Sequence, residues 1–294
     1  MIRLILNAFV VLSASIILFC SSVECHELDG KIWRQRDSAF LTFRQMVDDL
    51  EEKKFLVVGE THGFQPHQDR EAYLVSALAE RGLYPALVLE MLDPDGALKL
   101  AEYRRTHPED VSSLAQSLDW ENSGWPAFSY YEPVFSVAFR AKLAVVGGDL
   151  PAALSLLAVP PSIQQNDLRL ASWKQTMKIA HCGIIAPDEL VRTALRQMAR
   201  DQSMAYAALS ADEKSSAIVV SGLEHARADR GIPTYMAGKD VSSVALVEIS
   251  ESTDPANYLP PSLGKVPPFD YLWFTPARNQ EGACERLKNK GLLK

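Results

Sequence analysis

Residues 55–62 (FLVVGETH) form an apolar run that ends in a glycine and then in a carboxylate and an imidazole, Glu60 and His62. The same pattern recurs three times: residues 86–91 deliver Glu90, residues 143–149 deliver Asp149, and residues 217–225 deliver His225. Short continuous runs of Val, Leu and Ile bounded by glycine read as strands buried on both faces, which is the signature of parallel sheets. Between the first two runs, residues 67–81 carry Ala72, Tyr73, Leu74, Ala77 and Leu78 at helical spacing and stop at Gly82. That order predicts a βαβ unit with parallel pairing and a right-handed crossover. In open α/β sheets ligands bind beyond the carboxyl ends of the strands, so Glu60, His62, Glu90, Asp149 and His225 are expected to meet in one site.

The remaining pattern fills in around these strands. Residues 38–54 are amphipathic, with Phe40, Phe43, Val47 and Leu50 on one face, and predict a helix leading into the first strand. Residues 92–140 predict a helical insertion that includes a helix over 95–105 and an aromatic-rich stretch over 119–133; these aromatics either pack a helical subdomain or line an apolar pocket. Residues 187–209 predict a long helix whose inward stripe, Leu190, Ala194, Gln197, Asp201 and Ala205, places two polar groups on an apolar face. Gln197 and Asp201 either satisfy each other with help from Arg200 or point into the strand-end site. His67 also falls beside that site. Further strands are expected over 243–249 and, as an edge strand, over 271–274, with an extended surface loop over 255–268 between them. The expected fold class is α/β, a mostly parallel central sheet flanked by helices with a helical lid inserted between strands.

Composition narrows the picture. The chain has 294 residues, 47% hydrophobic, with 15 Gly and 17 Pro, and suits one globular domain over residues 26–294. A net charge of −7 and a pI near 5.5 argue against a nucleic-acid partner. Residues 1–25 read as a targeting segment: Arg3 is followed by an apolar run over 4–20, shorter than the about 20 residues of a comfortable membrane span. Cleaved export to a bacterial periplasm or outer-membrane surface is expected, and Phe19 before Cys20 and Glu24 before Cys25 are poor matches to a lipidation site. Two other cysteines, Cys182 and Cys284, either pair as a disulfide in that oxidising setting or remain separate buried thiols.

The ordered set Gly59 to His62, Leu89 to Met91, Trp125-Pro126, Tyr131 to Pro133, Gln197 to Ala205, and Gly222 to His225 with Gly231 to Pro233 resembles the ChaN-like family, the haem-binding uptake branch of the Tiki superfamily. The resemblance spans about residues 50 to 275. It implies an α/β domain with a helical lid, an exported protein tied to haem or iron acquisition, dimerisation around haem, and envelope haem-transport components as partners. The wider superfamily includes metal-dependent proteases and erythromycin-esterase-like enzymes, whose Gly-Glu-x-His and later histidine motifs match Glu60, His62 and His225. The chain departs from the lipoprotein members in lacking a clean lipobox.

Two functions of different class follow. A haem-binding protein needs an axial Tyr or His, for which Tyr131, Tyr206 and Tyr235 are the candidate ligands, and cations for the propionates, for which Arg227 or Arg230 are candidates. The alternative is a metal-dependent hydrolase of peptidase or esterase type. There His62, His225 and Asp149 would hold a divalent cation of unspecified identity and Glu60 or Glu90 would act as general base on a peptide or small-molecule substrate. Gln197, Arg200, Asp201 and His67 would support either site from behind. No GxSxG elbow points to a covalent serine mechanism.

Overall fold

The computed structural model describes residues 26–84, 86–151, 167–211, 216–278 and 282–290, so the targeting segment with Cys20 and Cys25 lies outside the described residues. Among the described residues eight strands form one sheet: β1 (Ile32–Arg34), β2 (Ala39–Leu41), β3 (Phe55–Glu60), β4 (Ala86–Leu89), β5 (Ala144–Gly147), β6 (Ala217–Gly222), β7 (Val241–Glu248) and β8 (Tyr271–Thr275). Their spatial order is β2-β1-β8-β7-β3-β6-β4-β5. The six strands from β8 to β5 pair in parallel, and the short β1–β2 hairpin adds on antiparallel. The sheet is therefore mostly parallel, as the apolar runs require.

Side-chain alternation divides the core into two layers. Leu56, Val58, Leu87, Leu89, Ile218 and Val220 pack on one face with the helices α1 (Phe43–Glu51), α2 (Gln65–Glu80), α3 (Pro94–Thr106), α4 (Leu114–Ser117) and α5 (Phe128–Arg140). Phe55, Val57, Ala86, Val88, Ala217 and Val219 point to the other, where Met204, Ala205 and Ala208 of the long helix close the layer. That helix is α7 (Pro187–Ser210), and it pairs with α6 (Leu168–Ala180) through Trp173, Met177, Ala194 and Met198. A short C-terminal helix, α8 (Ala283–Asn289), is joined to the α6–α7 turn by the Cys182–Cys284 disulfide.

Two expectations need correction. Residues 271–274 do not form an edge strand, because β8 lies between β7 and β1, with all five of its residues buried. The edges are β2 and β5. The amphipathic stretch over 38–54 is not one helix: Ala39–Leu41 pair with β1, and α1 begins only after Thr42. Thr42 and Gln45 form a reciprocal capping box, which supplies the helix start that periodicity alone missed. The aromatics of 119–133 largely pack, since Trp120 and Tyr131 are buried with Phe135 and lie in ring contact with it or with one another.

Register explains why the strand tips share a level. Glu60 sits opposite Gly222 and Leu89 opposite Val220, so Glu90 emerges beside the Ser221-Gly222 end of β6. Two glycines permit that closeness. A Cβ on Gly59 would fall 2.7 Å from the Ala226 Cβ, and one on Gly222 would fall 2.9 Å from His62 Nε2.

Candidate functional site

Glu90, only 1% exposed, is the hub. Its Oε2 accepts the Gly222 backbone N–H and lies 3.5 Å from His62 Nε2; its Oε1 lies 2.8 Å from an Arg200 nitrogen and 3.4 Å from His225 Nε2. Both imidazoles thus approach the same carboxylate with Nε2, one from the turn after β3 and one from the loop after β6. Each is backed by a second carboxylate. His62 Nδ1 lies 2.8 Å from Glu60 Oε1, and His225 Nδ1 lies 2.7 Å from Asp201 Oδ1. Asp201 also accepts the Trp173 indole N–H at 3.1 Å, so of the two alternatives for this residue the structure shows the one pointing into the site.

Arg200 ties the site to α7. Its guanidinium bonds both oxygens of Asp149, at 2.7 and 3.0 Å, while reaching Glu90. A planar fork between two carboxylates is arginine's characteristic geometry. Gln197 accepts from the same guanidinium at 3.4 Å. Trp125 meets His62 edge-on at 4.9 Å, and Arg200 lies 5.7 Å above the Trp125 ring.

These contacts set the charges. Burial alone pushes Glu90 up, yet the charges of His225, Arg200 and His62 outweigh it and hold the carboxyl well below its usual range. Burial likewise opposes charge on His62, but Glu90 and Glu60 override it and push the imidazole up to about 10. Asp201 is pushed up to about 6 by burial, against the pull of His225.

His62 consequently contributes stability that is fully present below its ordinary value of 6.5 and is lost as pH rises through about 10. Melting temperature measured from pH 6 to 11 is expected to fall more steeply for the wild type than for His62→Gln. Parallel profiles would show that His62 does not carry that charge.

The other sequence candidates divide clearly. His67 is buried and does not touch the cluster: its Nδ1 accepts the Thr61 N–H at 2.8 Å and its Nε2 lies 3.0 Å from Thr275 Oγ1. Burial pushes it down to about 3, and it anchors the turn that carries His62. Tyr131 is wholly buried near Glu60, Glu71 and Glu90. Tyr235 lies under the Arg169 guanidinium with its hydroxyl enclosed, whereas Tyr206 is 72% exposed. Arg227 is committed to Asp229 at 2.7 and 2.9 Å and to the Pro261 carbonyl, and Arg230 to Ser172, Thr176 and Glu224. Among the described residues, no group of three or more His, Cys, Asp and Glu side chains is arranged to hold a metal ion. The reason is visible in the contacts: Asp149 is occupied by Arg200, and each imidazole is fixed by its own carboxylate.

A cavity of about 740 Å³ opens beside the cluster, lined by Trp125, Asp149, Gln197, Arg200, Arg196 and Lys99 among others. The sequence pattern did not single out Lys99 or Arg196. For Arg196 a signal exists, since it precedes Arg200 by one helical turn on the same face.

Residues 46–236 match the family model described as haem-binding uptake, Tiki superfamily, ChaN. The chain belongs to this ChaN family. Its fold is similar to that of a solved ChaN of Campylobacter jejuni with cofacial haem bound, at 17% identity, 84% of this chain and 96% of that one covered, and a TM-score of 0.66. Weaker likenesses are to the type III effector HopBA1 (13% identity, 79% and 92% covered, TM-score 0.47) and to an erythromycin esterase in its open conformation (17%, 84% and 82%, TM-score 0.44). No curated protein matches the ChaN family chain in sequence.

Proposed function

We propose that this ChaN-family protein is exported to a bacterial envelope and binds haem there as cargo, in haem or iron uptake. Family membership supports the ligand, and the Cys182–Cys284 disulfide supports an oxidising compartment. The observation that carries the reading is the cavity beside Glu90. Its volume of about 740 Å³ falls within the roughly 300–1,000 Å³ typical of small-molecule sites. Trp125 offers a flat apolar contact, and Lys99 and Arg196 offer cations for two propionates. Tyr131 and Tyr235 are enclosed, so Tyr206 is the phenol of the three that haem iron on an outer face would reach, with a second copy or transport components as partners there.

Titration with haemin, followed by the Soret band, tests this. Saturable binding is expected, weakened at least about tenfold by Lys99→Glu combined with Arg196→Glu, which corresponds to about 1.4 kcal/mol. Absence of a saturable Soret shift would reject haem binding. Binding unaffected by the double change and lost in Tyr206→Phe would move haem from the cavity to the outer face.

A second reading, hydrolysis, is favoured by one observation: two carboxylate-backed imidazoles face a common carboxylate. Carboxylate backing fixes the tautomer and orientation of an imidazole that moves protons at Nε2. A metal-dependent form would use those same Nε2 atoms as ligands. Ester and peptide hydrolysis measured beside metal content tests it; turnover lost in both His62→Ala and His225→Ala supports it, and unchanged turnover rejects it.

A further inference from the structure

Behind the strand-end cluster, on the side of α2 and α5, lies a second group of polar side chains, of which the proposed haem cavity and the hydrolase reading use only Glu60. Glu71 is 0% exposed, and among the described residues neither of its carboxylate oxygens has a hydrogen-bond partner. Glu60 Oε2 and Gln68 Oε1 are likewise buried without partners among the described residues, on residues each 1% exposed, and the Tyr131 hydroxyl, on a residue 0% exposed, meets only the Gly63 backbone N–H. Gln68 and Glu71 lie one turn apart on α2, and Gln68 donates its amide to the Thr61 carbonyl, which turns its Oε1 away from that loop. Glu60, Glu71 and Glu90 all act electrostatically on the Tyr131 hydroxyl.

Counting donors and acceptors defines what is missing. With the carboxyls ionised, Glu60 Oε2, both oxygens of Glu71 and Gln68 Oε1 only accept, while Tyr131 brings one hydroxyl proton. No hydrogen bond joins these atoms to one another. Charge gives the same answer. His62 and Arg200 are engaged with Glu60, Glu90 and Asp149, and Glu71 has no ion pair of its own among the described residues. Burial, and after it the charge of Glu60, push the Glu71 carboxyl well above its usual range, so this buried group is neutralised either by a proton or by a bound cation.

We propose that Glu60 Oε2, Gln68 Oε1, Glu71 and the Tyr131 hydroxyl form an internal site for a single hard cation, held between α2, α5 and the end of β3. An all-oxygen set with two carboxylates suits calcium, magnesium or a monovalent alkali ion and not a soft transition metal. The site differs from a His62/His225 metal centre in chemistry and position, and it does not depend on haem binding. Its role is to fix Glu60, and through Glu60 the His62 ring, from the interior side.

Terbium luminescence on the chelator-stripped full chain tests the proposal. Trp120, whose ring centre lies 5.4 Å from that of Tyr131, serves as the sensitiser. One terbium per chain is expected to emit and to be displaced by calcium, magnesium, sodium or potassium, with the same ion raising the melting temperature at fixed ionic strength. Glu71→Gln, which keeps the volume, is expected to weaken terbium binding at least tenfold, and Tyr131→Phe to weaken it as well. Asp149→Asn is expected to leave it within about twofold. The proposal is overturned by no ion-dependent emission or melting shift, by binding that survives Glu71→Gln, or by a Glu71→Gln protein stabilised equally with and without ions. The last result would mean that a proton, not a cation, neutralises Glu71.

Discussion

Replacing Arg200 by alanine is expected to lower the stability of the protein by about 3–5 kcal/mol, the cost of removing one partner from a buried ion network. Arg200 is the cation shared by Glu90 and Asp149, and Glu90 is 1% exposed. Its loss leaves Glu90 with only the two longer imidazole contacts at 3.4 and 3.5 Å and leaves Asp149 without its fork. At about 2–4 °C per kcal/mol for a chain of this size, the melting temperature falls by about 6–20 °C. Arg200→Lys recovers only part of this, because an ammonium cannot bond both carboxylates in one plane. Haem affinity should fall in parallel, since the same guanidinium lies over Trp125 at the cavity wall. A drop below about 1 kcal/mol by chemical denaturation would show that Arg200 behaves as an ordinary surface ion pair.

The second large effect is expected from Cys182→Ser with Cys284→Ser. The disulfide closes a loop of 102 residues, for which the chain-entropy relation gives about 4.7 kcal/mol, acting mainly by limiting the unfolded chain. In the folded state the bond holds α8 against the α6–α7 turn. Loss of the bond is therefore expected to lower the denaturation midpoint of the whole chain, and reduction of the wild type with dithiothreitol should reproduce it. Equal midpoints for oxidised, reduced and double-serine protein would contradict this.

Much of the site was legible because buried parallel strands leave a strong trace. The runs at 55–60, 86–89 and 217–222 are apolar on both faces, so the polar residues that follow them had to sit at a strand mouth. The order of those strands was not legible: β6 enters between β3 and β4 from far along the chain, and nothing local encodes that pairing. The β1–β2 hairpin escaped notice because each strand has three residues and the second merges with an amphipathic stretch. Without that hairpin in view, the pattern over 271–274 reads as an edge strand. Asp201 could be singled out as a polar residue on an apolar helix face, but its bond to His225 depends on how α7 crosses the sheet. Glu71 gave no signal, since a glutamate within a helix is ordinary until its burial is known.

The proposed haem site is the cavity beside the Glu90 cluster. A crystal structure of the haemin-loaded protein tests it most directly. A porphyrin against Trp125 with its propionates at Lys99 and Arg196 is the expected result; haem bound instead on the outer face at Tyr206, with the cavity filled by water, would contradict it.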